Sequence, residues 1–102
     1  MNICSYKEFQ KADEALNDIW PLVRDHMKQI DTYSKEYFPE QANGAESLLK
    51  AQRAWIIFRD AHCDTEGARF AGGSIRPLIE NGCRESLTLR RIEELKGLME
   101  EG

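Results

Sequence analysis

The stretch Cys63-Asp64-Thr65-Glu66-Gly67-Ala68-Arg69-Phe70-Ala71-Gly72-Gly73-Ser74-Ile75-Arg76-Pro77-Leu78-Ile79-Glu80-Asn81-Gly82-Cys83 decides the fold. Gly72-Gly73 ends one helical pattern, Ser74 offers the N-cap of the next, and Pro77 falls in the new helix's first turn, where its missing N–H costs nothing. A turn this tight makes the flanking helices an antiparallel hairpin. With the turn centred on Gly73, each cysteine stands ten residues from the centre, so Cys63 faces Cys83. A disulfide needs Cα atoms within about 7 Å, a condition this register meets. Such a bridge closes a 20-residue span, adds about 3 kcal/mol in the chain-entropy model and marks an oxidising compartment. Two buried, reduced thiols are the other reading of the same pair.

Outward from the hairpin, the periodicity is helical on both sides. Helix two is expected over about 45–69, with Leu48, Leu49, Trp55, Ile56, Phe58 and Cys63 as its apolar residues. Gln52, Arg59 and His62 fall at helical spacing from Leu48 and Trp55, so large polar groups interrupt that stripe. Helix three is expected over 75–99, carrying Leu78, Ile79, Cys83, Leu87, Ile92, Leu95 and Met99, with a bend possible at Asn81-Gly82. A first helix spans about 5–30, with Phe9, Ala12, Leu16, Ile19, Trp20, Val23, Met27 and Ile30 on one face. Ser5 and Glu8 have capping-box spacing, and Pro21 predicts a kink or a junction between two helices.

Between 31 and 44 the pattern dissolves into Thr32, Ser34, Pro39, Asn43 and Gly44, which reads as a loop. Its aromatics Tyr33, Tyr37 and Phe38 either tuck into the core or present an exposed hairpin to a partner. No repeat or strand-like alternation appears. The expected fold is all-α: a small antiparallel bundle of three main helices, helices two and three forming a disulfide-tied hairpin.

The chain is a single domain, residues 1–102, with one core; scaling laws bury about 65% of the surface of a chain this size. Net charge is −4, which repels phosphate backbones and makes nucleic acid a poor partner. No apolar run approaches a membrane span, and Met1-Asn2-Ile3-Cys4 shows no secretory leader. Three cysteines are an odd number: all are reduced, or two pair and Cys4 is left over.

Motifs for nucleotide, cofactor or hydrolase chemistry are absent. His62, Cys63 and Cys83 invite a zinc reading, but adjacent helical residues point about 100° apart and chelate poorly, so neither a metal nor a cofactor is expected. No catalytic set is supported. A polar group does stand out. Asp13 and Asn17 lie one turn apart on helix one, and Gln52, Arg59 and Arg90 sit on or beside the stripes of the other helices. They form either a structural network, with Asp13 the partner of a buried Arg59, or a site for a small anion or a partner group.

Ala12-Asp13 with Leu16-Asn17, the block Leu49 to Cys63 reading LKAQRAWIIFRDAHC, Gly72-Gly73-Ser74, Cys83, and Leu87-Thr88 followed by Arg91-Ile92-Glu93-Glu94-Leu95 resemble the LprI-type lysozyme inhibitor N-terminal domain family. The resemblance covers nearly the whole chain, with Arg90 or Arg91 matching the family's final arginine. It implies a small helical, secreted or periplasmic bacterial domain with Cys63 bridged to Cys83. Family members carry a further cysteine upstream of the position of Cys4, which implies that this sequence starts after a signal and that first cysteine. The implied function is non-enzymatic inhibition of a cationic lysozyme-like protein by stoichiometric binding. The alternatives are an envelope structural or interaction module with a different partner, or a cytosolic helical adaptor with reduced thiols. Candidate contacts are Tyr33, Tyr37 and Phe38 in the loop and Gly72, Gly73 and Ser74 at the turn.

Overall fold

The computed structural model describes residues 2–100. Its elements are α1 (Asn2–Tyr37), a 3₁₀ turn (Pro39–Gln41), α2 (Gly44–Ala68) and α3 (Arg76–Met99), and the described residues include no strand. The bundle runs up, down, up: α2 returns along α1, and α3 lies parallel to α1, Asn81 Nδ2 donating to Ser5 Oγ at 3.3 Å. The molecule is a rod of 57 × 21 × 19 Å with a radius of gyration of 16.9 Å. A sphere-like domain of this length would have about 13 Å. The 36 residues of α1 set the long dimension, since an α-helix rises about 1.5 Å per residue.

α1 differs from the sequence expectation at both ends and in the middle. It begins at Asn2, so Ser5 is not its cap; the hydroxyl accepts from Asn81 instead. The helix is continuous through Pro21. Both Pro21 and Asn17 lie on the exposed face, so water can satisfy the Asn17 carbonyl that loses its N–H partner. The expected loop from 31 is helical as far as Tyr37. Thr32 returns its hydroxyl to the Lys28 carbonyl at 3.0 Å, and the first true breaker is Pro39. A proline disfavours α conformation in the residue before it, and Phe38 accordingly leaves the helix with φ −143° and ψ 63°.

The α2–α3 turn also has its own chemistry. Gly72 takes φ +80°, the left-handed region that favours glycine. Gly73 N–H donates to the Phe70 carbonyl at 2.9 Å. Ser74 caps nothing: Ile75 holds the cap position of α3, without a side-chain bond, and Pro77 sits in the first turn. α3 continues as helix through Asn81-Gly82.

The core is Leu16, Val23, Leu48, Ile92 and Leu95, ringed by Ile19, Trp20, Met27, Trp55 and Met99. The inward face of α2 is Leu48, Gln52, Arg59 and Cys63, all buried. Leu49, Ile56 and Phe58 from the expected stripe are exposed, and so are Ile30 of α1 and Leu78 of α3. From the Ser5–Asn81 contact α1 runs on to residue 37 and α3 only to residue 99. The last turns of α1 therefore outreach α3 by roughly 20 Å.

Candidate functional site

Three helices meet polar-to-polar around Arg59. Its side chain is 9% exposed, in the middle of α2. The guanidinium lies 3.6 Å from Asp13 Oδ1 on α1, donates from Nε to Asp60 Oδ1 at 3.0 Å, and reaches Thr88 Oγ1 of α3 at 3.4 Å. It also stacks over the rings of Phe9 and Trp55, each centroid 5.1 Å from Cζ. A planar cation with several donors is the side chain that can satisfy acceptors on three helices at once. Thr88 is fully buried and is a member that the sequence pattern did not single out.

Two helical turns back along α2, Gln52 Oε1 accepts from Arg91 Nε at 2.8 Å, and Arg91 Nη1 reaches Glu94 at 3.2 Å. Arg90, expected in this network, is exposed and lies on a different face, beside His62. Neighbouring helical residues point about 100° apart, so only one of the two arginines can face the bundle. Asn17 is likewise exposed; it lines a groove of about 260 Å³ between α1 and α2 with Asp13, Trp20, Arg53 and Ile56. The polar groups thus form two sets: Arg59 with Asp13, Asp60 and Thr88, and Arg91 with Gln52 and Glu94.

Cys63 and Cys83 form the disulfide that ties α2 to α3, with Cα atoms 5.5 Å apart. Around it Arg84 pairs with Asp60 at 3.5 Å and Asp64 at 3.2 Å. Cys4 is an exposed free thiol.

The nominated partner contacts fall at opposite ends of the rod. Tyr33, Tyr37 and Phe38 are 61%, 57% and 55% exposed on the overhanging end of α1. They do not tuck into the core, because α3 has ended before it could cover them. The rings of Tyr33 and Tyr37 lie 4.7 Å apart. Asp31 anchors this tip: its carboxylate accepts from the N–H groups of Gly44 and Ala45, closing the start of α2. Asp31 was not recognisable as a cap, since its partners come 13 residues later. Gly72, Gly73 and Ser74 are exposed at the far end.

A groove of about 420 Å³ runs between α2 and α3, lined by His62, Glu66, Leu78, Cys83, Leu87 and Arg90 among others. His62 stacks on Phe58 and sits 3.9 Å from Glu66. No group of three or more His, Cys, Asp or Glu among the described residues could hold a metal ion. Among the described residues, no helix is long and apolar enough to cross a membrane.

The chain matches the family described as lysozyme inhibitor LprI over residues 1–95. An uncharacterized protein of Rhizobium meliloti strain 1021 is 40% identical over 100 residues, which cover 98% of this chain and 72% of that one. No solved structure matches. The family match takes in α1, α2, the disulfide, the Arg59 cluster and most of α3, and the chain therefore belongs to the LprI lysozyme inhibitor family.

Proposed function

We propose that this protein is a non-enzymatic, secreted or periplasmic protein that inhibits a lysozyme-like muramidase by stoichiometric binding, with the tip of α1 as the contact. The observation that carries the proposal is the aromatic tip. Tyr33, Tyr37 and Phe38 are each more than half exposed at the end of α1 that α3 does not reach. Aromatic side chains with a polar edge are favoured at interfaces, where they bury much area at little entropic cost. The Gly72–Ser74 turn lies at the other end of a 57 Å rod and offers little side-chain area, so it is the weaker candidate. Net charge of −4 favours a cationic partner through long-range attraction. The Cys63–Cys83 bridge suits an oxidising compartment such as the envelope.

The test is a cell-wall lysis assay against a panel of muramidases, with the protein titrated at graded salt. Inhibition should reach completion at a fixed molar ratio and weaken as salt shortens the Debye length from about 10 Å at 0.1 M. No inhibition of any muramidase at low salt would leave an envelope interaction module with another partner. Product accumulating without a muramidase present would overturn the non-enzymatic reading.

A further inference from the structure

The groove of about 420 Å³ between α2 and α3 includes neither the α1 tip nor Arg59 in its lining. Its α3 wall is one helix face: Ile79, Gly82, Cys83, Ser86, Leu87 and Arg90 recur at gaps of three, one, three, one and three. Apolar groups therefore run along the groove, and a guanidinium stands at one end. Arg90 is exposed and makes no ion pair or hydrogen bond among the described residues. The carboxylates three and four positions on are held by other cations, Glu93 by Lys96 at 3.6 Å and Glu94 by Arg91 at 3.2 Å. One turn back from Arg90 stands Ser86, exposed and likewise without a hydrogen bond from its hydroxyl among the described residues. Gly82 opens the middle of the groove: a Cβ there would meet no atom within 4 Å. The chain's own packing does not require that gap, although glycine is a poor helix former.

We propose that this groove binds a small monocarboxylate with an unbranched apolar tail, a ligand of the medium-chain fatty acid class. Its carboxylate sits on Arg90 and Ser86, and its tail runs along α3 towards Leu78. Charge selects the head: one unpaired guanidinium matches one negative charge, and its fork of donors suits a carboxylate. A dianion is disfavoured by the chain's net charge of −4 and by Glu66 on the α2 wall. Glu66 does not repel an uncharged tail, and Arg69 at 3.5 Å and His62 at 3.9 Å already hold it. Direction agrees, since helical side chains lean towards the N-terminus and carry Arg90 back over the groove. Length agrees too. Leu78 to Arg90 spans about 18 Å of helix, and a zigzag chain advances about 1.3 Å per carbon. A tail of about eight to twelve carbons therefore lies within the groove, against Leu87, the disulfide, Ile79 and Leu78. The volume falls within the range of small-molecule sites, about 300–1,000 Å³. The groove is separate from the tip of α1, so this site stands independently of muramidase binding.

The test is a titration of sodium decanoate, kept below its micelle threshold, into the nitrogen-labelled full chain, read by amide chemical shifts. Amides of residues 62–66 and 78–90 should move most, saturating at roughly millimolar ligand or below. Decylammonium, the same tail with the opposite charge, should bind at least about tenfold more weakly. Acetate, the head without the tail, should not bind. Arg90→Gln should weaken decanoate by about tenfold, and Gly82→Leu, which fills the gap, should weaken it as well. Both positions are exposed, and thermal melts confirm that the variants are folded. The absence of saturable shifts in the groove overturns the proposal. So does decylammonium binding as tightly as decanoate, or decanoate binding unchanged in Arg90→Gln. Unchanged binding in Gly82→Leu overturns the placement of the tail, and with it the site.

Discussion

The carboxylate of Asp31, on α1, closes the N-terminus of α2: Oδ1 accepts from Gly44 N–H at 2.7 Å and Oδ2 from Ala45 N–H at 2.9 Å. A cap normally comes from the residue just before the helix, but Asn43 makes no such bond. One side chain thereby satisfies two orphan donors and fixes where α2 leaves the tip. Negative charge at a helix N-terminus adds to the effect. Asp31→Ala should cost about 1–2 kcal/mol. Gly44→Ala should be destabilising as well, because a Cβ there would lie 2.7 Å from Met27 Cε and 2.9 Å from Asp31 Oδ1. Thermal melts check both; unchanged midpoints would show that the cap contributes nothing.

Arg59→Ala should lower stability by about 3 kcal/mol. The loss has a particular origin. Asp13 and Asp60 are 43% and 47% exposed and can rehydrate, so no carboxylate is stranded in the interior. What is lost is the packing on Phe9 and Trp55 and the donor to Thr88, which is fully buried. Arg59→Met should therefore recover part of the stability, since it refills the space without the charge. Denaturant unfolding of the two variants measures the split. Equal losses would assign the whole effect to the polar contacts.

The two adjacent arginines should behave oppositely. Arg91→Ala removes the 2.8 Å bond to buried Gln52 and should cost about 1–2 kcal/mol. Arg90→Ala, at an exposed position, should stay within about 0.5 kcal/mol of the parent. Parallel chemical melts decide, and a reversed order would place Arg90 in the bundle.

Alkylation without reductant should modify one cysteine, Cys4, because Cys63 and Cys83 are bridged. Intact-mass measurement reads the number directly. Reduction should then lower stability by about 3 kcal/mol, the chain-entropy value for a loop of this length. Alkylation of all three cysteines in oxidised protein would contradict the bridge.

The hairpin was legible because its determinants are local: Gly72, Gly73 and two cysteines at equal spacing define a register without reference to the rest of the chain. Arg59 was legible because it lies at helical spacing from Trp55. The overhang was not, since the apolar period of α1 fades after Ile30 while the backbone continues as helix to Tyr37. Burial there depends on where α3 stops, a relation between distant segments. The same limit hid Asp31, whose partners lie across the Pro39 turn. Arg90 and Arg91 could not be separated because adjacent residues differ by about 100° around a helix, and a small error in the phase of α3 exchanges them. The apolar residues of α2 misled for a related reason. Ile56 and Phe58 read as core, but the inward positions belong to Gln52 and Arg59.

The central claim is that this chain binds a muramidase stoichiometrically through the tip of α1, and one measurement addresses it most directly. Wild-type protein and a Tyr33→Ser, Tyr37→Ser, Phe38→Ser variant should be titrated side by side into a muramidase lysis assay at low salt. The three positions are exposed, so the variant should keep the parent's melting midpoint. The expected result is complete inhibition at a fixed ratio by the wild type and its loss in the folded variant. Equal inhibition by both proteins, or none by either, would contradict the account.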